Sequence, residues 1–328
     1  MRAVVLRSYG EPDVLAVEDI PGPEPGTEEV LVEVVATAVN RADLLQRMGL
    51  YPEPGPKRAH EVPGLELSGR VVAKGDRVSR WPLGAEVMAV VSGGAYAERI
   101  AVHERQVMAV PFSVTVADAA AIPEVWITAF DALAVQGGLT MGRTALVHAG
   151  ASGVGSAAIQ IAKAMGARVV VTASTAKVAA CRGLGADEVV DHTADDFVTV
   201  VDRVTGGQGV DTVVDVVGGD YLARNVEALR VGGTIVQVGV MAGATGSFPL
   251  GALLPKRATV RGTVLRSRPI EEKVAITQRF TQEVLPLFDR GSLRPVIDRR
   301  FPLDAIADAH RHMESNANIG KILIDVQP

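Results

Sequence analysis

Cysteine is nearly absent from this chain: Cys181 stands alone among 328 residues. An internal disulfide and any zinc site built on several cysteines are thereby excluded. Histidine is scarce too, with six in all. His310 and His312 lie two apart, which on a helix turns them to different sides, and the rest are scattered. No apolar run approaches the ~18 residues that a membrane-crossing helix needs, so no membrane partner is expected. Positive charge is not in excess either, and a net charge of −5 argues against nucleic acid as the main partner. Arg2 leads straight into strand-like residues 3–6 without a hydrophobic leader, so a cytoplasmic protein is expected. Repeats and low-complexity segments are missing as well.

What is present fits two domains, since 328 residues with 48% hydrophobic content suffice for two cores. Residues 1 to about 120 read as mostly β. Residues 30–39 alternate, with Glu33 and Thr37 on one face and Val30, Val32, Val34 and Ala36 on the other. Further strands are expected at 67–73, 85–91 and 96–102, with proline-rich loops at 21–26 and 51–63. The texture then changes. Short Val-rich runs at 145–148, 168–172, 188–190, 212–216, 234–238 and 259–264 are spaced by helical patterns. Unbroken apolar runs suit parallel strands covered on both faces, so these six predict an α/β, doubly wound parallel sheet. In the tail, a helix is expected from Arg268-Pro269 to Gly291, followed by a strand at 296–301, a helix at 304–314 and a strand at 319–326. This α+β tail is expected to return to the first domain and complete it.

The richest stretch is Thr144–Lys163, in which a short strand runs into Gly150, Gly153 and Gly155 and then into a helix. Such a turn leaves the first N–H groups of the helix pointing outward, where a pyrophosphate accepts them. Ser152 replaces the second glycine of the dinucleotide fingerprint, and Val154 completes the turn. Chains that bind NAD place an acid about 20 residues further on, to hold the ribose hydroxyls. Here the second strand ends in Ser174, with Lys177 one helical turn later and no carboxylate. Serine and lysine attract a 2′-phosphate that an acid would repel, so NADPH is favoured over NADH. Glycine corners at Gly218-Gly219 and at Gly239, before Val240-Met241, either flank the dinucleotide or merely permit tight turns.

Several motifs together carry a family resemblance: Asn40-Arg41-Ala42-Asp43, Pro63-Gly64-Leu65-Glu66, Ala121-Ile122-Pro123, the glycine turn itself, and Asn318-Ile319-Gly320-Lys321. The chain resembles, end to end, the zinc-free quinone oxidoreductase branch of the medium-chain dehydrogenase/reductase superfamily, and within it the tumour-suppressor-inducible quinone oxidoreductase group. The resemblance implies a Rossmann NADPH-binding domain at 122–265. It also implies a discontinuous GroES-like β-barrel catalytic domain at 1–121 and 266–328. Zinc-dependent relatives carry a cysteine ligand where this chain has Asn40 and a histidine ligand where it has Leu65, so no metal is expected.

A quinone or an α,β-unsaturated carbonyl is already an electrophile and accepts hydride without a Lewis acid. Tyr51 is then the candidate hydrogen-bond donor to the acceptor oxygen, or else an aromatic cap on its loop. Asn40 either contacts substrate or nicotinamide ribose or caps the following helix. The resemblance places Thr128, Leu265 and Ser267 near the nicotinamide and Lys321 at the cofactor. His192 either reaches the adenine side or lies on the surface. An enoyl-thioester reductase would use a basic approach, for which Lys57 and Arg58 are the only cluster; a ketone reductase is another in-class rival. The rival of another class is a non-catalytic NADPH-binding interaction or RNA-binding protein. A homodimer, paired along the strand at 259–265, is also implied.

Overall fold

The computed structural model describes residues 1–55 and 59–327. In chain order the elements are β1 (Arg2–Leu6), β2 (Leu15–Asp19), β3 (Glu29–Val39), α1 (Arg41–Arg47), β4 (Glu66–Lys74), β5 (Glu86–Val90), β6 (Arg99–His103), β7 (Val107–Ala109) and α2 (Pro123–Phe130). Then follow β8 (Thr144–Val147), α3 (Gly153–Ala164), β9 (Arg168–Ala173), α4 (Val178–Gly183), β10 (Glu188–Asp191), α5 (Phe197–Thr205), β11 (Val210–Asp215), α6 (Tyr221–Ala228), β12 (Leu229–Gln237), α7 (Leu253–Lys256) and β13 (Thr259–Gly262). The chain closes with α8 (Ile270–Glu283), α9 (Leu285–Asp289), β14 (Ile297–Pro302), α10 (Ile306–Glu314) and β15 (Lys321–Asp325). Two units result: Met1–Ile127 with Leu265–Pro328, and Thr128–Val264.

The first unit is organised on β3, whose eleven residues pair with β4 along one edge and with β6 and then β15 along the other. The main sheet path is β14-β15-β3-β4-β5-β7. The last strand in sequence, β15, thus pairs with β3, the longest one, and β14 pairs with β15 beyond it, which makes the unit discontinuous in sequence. Val30, Val32, Val34, Leu67, Ile322 and Ile324 are fully buried in its core, each worth ~1.5–3 kcal/mol of burial. The simple two-faced reading of β3 fails at Thr37. That side chain is buried as well, because its hydroxyl donates to the Glu66 carbonyl at 2.6 Å and so needs no water. The start of α2 belongs to this unit through Trp126, whose ring packs edge-on against Phe288 with centroids 4.6 Å apart. The helix expected up to Gly291 is broken at Val284 into α8 and α9. Pro286 explains the break, since it lacks an N–H and crowds the preceding turn.

The second unit is a six-stranded sheet in the order β10-β9-β8-β11-β12-β13, with every pair parallel. The order runs outward in both directions from β8 and β11, so the topological switch point lies between those two strands. Leu146, Val170, Val213 and Ile235 are fully buried, as strands covered on both faces require. β13 departs from that expectation, for all four of its residues are exposed. It is the sheet's edge and pairs with β12 alone.

Candidate functional site

In the first unit, Asn40 directly follows β3 and is the residue from which α1 springs. Its backbone N–H donates to Asp43 Oδ2 at 2.8 Å, so Asp43 supplies the acceptor at the start of the helix. Behind this turn lies a closed polar cluster. Lys321, 3% exposed, donates from Nζ to the Val39 carbonyl at 3.0 Å, to Asn40 Oδ1 at 2.6 Å and to Glu66 Oε1 at 2.8 Å. Asn40 Nδ2 donates to the same Glu66 Oε1 at 2.9 Å, and the N–H of Glu124 donates to Glu66 Oε2 at 2.8 Å. Glu124 is in the first turn of α2, where the peptide dipoles favour a carboxylate. Every N–H of the ammonium is therefore taken. Lys321 was expected at the cofactor; it is instead the internal cation of a buried carboxylate, and no donor remains for a dinucleotide. Asn40 has its amide directed inward to Lys321 and Glu66, so it shapes this corner rather than offering a free amide to a substrate.

Next to that cluster, Asp43 Oδ2 also accepts from the Tyr96 hydroxyl at 3.0 Å, and Tyr96 Oη lies 3.4 Å from His310 Nε2. All three side chains are fully buried. Burial pushes the Asp43 carboxyl up to about 6, against the hydrogen bonds from Asn40 and Tyr96 that favour its charged form. Burial likewise pushes the His310 imidazole down to about 3.

Tyr51 lies between α1 and β4, half-buried, and no hydrogen bond engages its hydroxyl among the described residues. Arg266 holds the loop beneath it. The guanidinium donates to the Tyr51 carbonyl at 3.0 Å, the Ser92 carbonyl at 2.7 Å and Gln46 Oε1 at 2.7 Å, and it covers the Tyr51 ring at 5.1 Å. Burial raises the Tyr51 phenol, while the Arg266 charge pulls it back down. The sequence reading missed Arg266; its only signal was a second arginine beside Ser267 in Leu265-Arg266-Ser267-Arg268. Leu265 is half-buried and Ser267 exposed.

In the second unit, the remaining candidates gather at the carboxyl ends of the parallel strands: Gly150, Ser152, Gly153 and Val154 after β8, Ser174 and Lys177 after β9, His192 after β10, Gly218 after β11, and Val240 and Met241 after β12. Thr128, on α2, is the exception in position. The Ser152 side chain accepts from the Gly155 N–H at 3.0 Å and caps α3, which leaves the Gly153 and Val154 N–H groups without an acceptor among the described residues. That is a ready anion cradle at the start of a twelve-residue helix. Gly155 admits no side chain, because a Cβ there would stand 2.3 Å from the Ala149 carbonyl oxygen. Ala149 itself is held left-handed at φ 53, a conformation costing ~1–2 kcal/mol for an L-residue. Gly218, at φ 71, lets its turn pair with Gly243.

His192 is exposed, while Ser174 and Lys177 are half-buried. One acid near them was overlooked in the sequence. Asp191 ends β10 and is held low by hydroxyl hydrogen bonds from Thr175 and Thr193, so a carboxylate does approach the Ser174 turn from the neighbouring strand. Cys181 is buried and its thiol is pushed up to about 11, which removes it from reactive chemistry. Lys57 and Arg58 lie outside the described residues.

Comparison with known proteins matches residues 26–112 to the alcohol dehydrogenase GroES-like domain and residues 184–324 to the zinc-binding dehydrogenase family. A quinone oxidoreductase of Lama guanicoe is 32% identical over 99% of this chain and 97% of its own. The synaptic vesicle membrane protein VAT-1 homolog of Rattus norvegicus is 31% identical over 99% of this chain and 84% of its own. Among solved structures, Escherichia coli quinone oxidoreductase complexed with NADPH superposes with a TM-score of 0.89 at 27% identity, covering 99% of this chain and all of the other. The CurK enoyl reductase gives 0.89 at 26% identity, covering 99% of each chain. An NAD-dependent alcohol dehydrogenase gives 0.88 at 33%, covering 100% of each.

Zinc, which one matched family carries in its name, does not suit the residues at Asn40, Leu65 and Glu66. Leu65 offers no donor, and the one carboxylate is already paired with an ammonium. The parallel sheet with its capped glycine turn, the GroES-like match and the full-length relatives agree, and the chain belongs to the medium-chain dehydrogenase/reductase superfamily, in its quinone oxidoreductase branch.

Proposed function

We propose that this oxidoreductase uses NADPH to reduce quinones or α,β-unsaturated carbonyls without a metal. The observation that carries the reading is the closed Lys321–Glu66–Asn40 cluster, in which a protein cation occupies the carboxylate that a metal would otherwise have to share. A carbonyl substrate of low reactivity needs a Lewis acid; a conjugated acceptor does not.

When bound, NADPH supplies a hydride, which with one proton reduces the acceptor by two electrons. The Gly153 and Val154 N–H groups, with Gly150 and Ser152 shaping the turn, are assigned to its pyrophosphate. Ser174 and Lys177 are assigned to the 2′-phosphate, with Gly218, Val240, Met241 and His192 flanking the dinucleotide and Thr128, Leu265 and Ser267 at the nicotinamide. Tyr51 is assigned the hydrogen bond to the acceptor oxygen as charge develops there, with Arg266 holding its backbone. That one proton comes from solvent.

An enoyl-thioester acceptor is the second reading, supported by the likeness to the CurK enoyl reductase. Asp191 and the likeness to an NAD-dependent enzyme are what favour NADH instead. A panel crossing NADPH and NADH with naphthoquinone and crotonyl-CoA tests all of this. The expected result is fastest turnover with NADPH and naphthoquinone. Faster crotonyl-CoA reduction would select the second reading, tighter NADH binding would reverse the cofactor assignment, and cofactor binding without any oxidation would favour a non-catalytic role. A second copy of this chain is the expected partner, paired along the exposed edge strand β13.

A further inference from the structure

At the switch point of the parallel sheet, a buried side-chain network joins the turn after β8 to the turn after β11. His148 Nδ1 lies 3.1 Å from Thr172 Oγ1, and His148 Nε2 lies 2.7 Å from Asn225 Oδ1. Asn225 Nδ2 donates to Asp215 Oδ2 at 2.9 Å. Asp215 Oδ1 then accepts from the Val217 and Gly218 N–H groups at 2.6 and 2.9 Å. At the other end, the Ala149 N–H donates to Thr172 Oγ1 at 3.3 Å and the Gly150 N–H donates to the Thr172 carbonyl at 2.9 Å. His148, Asn225 and Asp215 are fully buried, and Thr172 is 2% exposed.

The direction of every bond follows from chemistry. The Asp215 carboxylate only accepts, so Asn225 must turn its NH2 group to it and its oxygen to His148. That oxygen only accepts, so His148 carries its proton on Nε2. Nδ1 is then an acceptor, and the Thr172 hydroxyl donates to it while receiving the Ala149 N–H. One neutral tautomer satisfies all the members: the other sets Nε2 against the Asn225 oxygen, acceptor to acceptor, and the charged ring takes from the Thr172 hydroxyl the acceptor for its own proton. Phe197 and Tyr221 close on the ring edge-on, each with centroids 4.9 Å away. The charged or titratable groups that act on it are Asp215, Arg224 and His192; burial outweighs Asp215 and holds the imidazole below its ordinary range.

We propose that His148, through Thr172 on one side and Asn225 and Asp215 on the other, is a positioning residue that fixes the spacing of the two dinucleotide-facing turns. This rests on the proposed use of NADPH. The network spans β8, β9, β11 and α6, so it ties together the Ala149–Gly150 corner, held left-handed at Ala149, and the Val217–Gly218 corner. The turns themselves touch the ligand; the histidine acts only through them.

Thr172→Val removes the hydroxyl that joins His148 to the Ala149 N–H with almost no change in shape, and Thr172→Ser keeps it. Thr172→Val is expected to raise the NADPH dissociation constant about tenfold, with kcat at saturating NADPH within about twofold, and Thr172→Ser to restore affinity to within about twofold. Nitrogen-15 histidine spectra of the unaltered protein are expected to show His148 as the Nε2–H tautomer, unchanged from about pH 5 to 8. Normal NADPH affinity in Thr172→Val, or a His148 ring that is protonated on Nδ1 or titrates in that range, overturns the positioning role alone. Failure of the unaltered protein to bind NADPH overturns the proposed function itself, and with it the purpose of the network.

Discussion

Lys321→Met is the substitution that exposes the design of the first unit most clearly. Methionine retains most of the aliphatic stem, so little cavity opens, but the ammonium disappears from beside a carboxylate with 0% side-chain exposure. Removing one partner of a buried ion pair costs ~3–5 kcal/mol, because the other charge is left uncompensated. Glu66 keeps the Asn40 amide and the Glu124 N–H, so the loss belongs at the lower end, ~3 kcal/mol. Both tryptophans, Trp81 and Trp126, lie in this unit, so their fluorescence during urea unfolding reports on it selectively. With a slope of ~2 kcal/mol per molar urea, the midpoint should fall by ~1.5 M. Adding Glu66→Gln removes the stranded charge and should recover most of that shift. A single variant within ~0.5 kcal/mol of the unaltered protein would refute the reasoning, as would a double variant no more stable than Lys321→Met.

Asp43 offers a test by pH. Its folded-state value of about 6 exceeds the unperturbed 3.8, so its stabilising contribution is full below the lower value and is lost as pH rises through the upper. Asp43→Asn should therefore be more stable than the unaltered protein at about pH 8, by up to ~3 kcal/mol, and lose that advantage near pH 4; calorimetry giving the opposite order rejects it. His310 acts with the reverse sign, losing stability as pH falls from 6.5 through about 3, and the comparison between variants largely removes it. Tyr51→Phe should lower kcat with naphthoquinone by ~10-fold or more while leaving NADPH binding unchanged, and unaltered turnover would end the role given to its hydroxyl. Val260, 42% exposed on β13, should matter for assembly: sedimentation should find a dimer that Val260→Asp converts to monomer, and a monomeric unaltered chain would contradict the pairing.

The fold was readable where burial imposes a simple pattern. Residues such as Val213 and Ile235 in unbroken apolar runs announced the parallel sheet, and Gly150 to Gly155 announced the turn at its switch point. Exposure of Val260 was not readable, because an edge strand and a central one have the same composition until their neighbours are known. Pro286 marked a helix break that the apolar stripe around it concealed. The site was legible to the extent that it lies in local motifs. Lys321 looked like a cofactor contact because a lysine after a glycine gives no sign of meeting Glu66 from the far end of the chain. Arg266 and the partners of His148 were hidden for the same reason: their contacts span long sequence separations, from 24 residues for His148 with Thr172 to 220 for Arg266 with Gln46.

The central claim, hydride transfer to a conjugated acceptor with no metal, is tested by one assay on protein dialysed exhaustively against a strong chelator and verified metal-free by elemental analysis. Oxidation of NADPH by naphthoquinone should then proceed at the rate of the undialysed protein, and added zinc should not raise it. Activity lost on dialysis and restored by zinc would contradict the account.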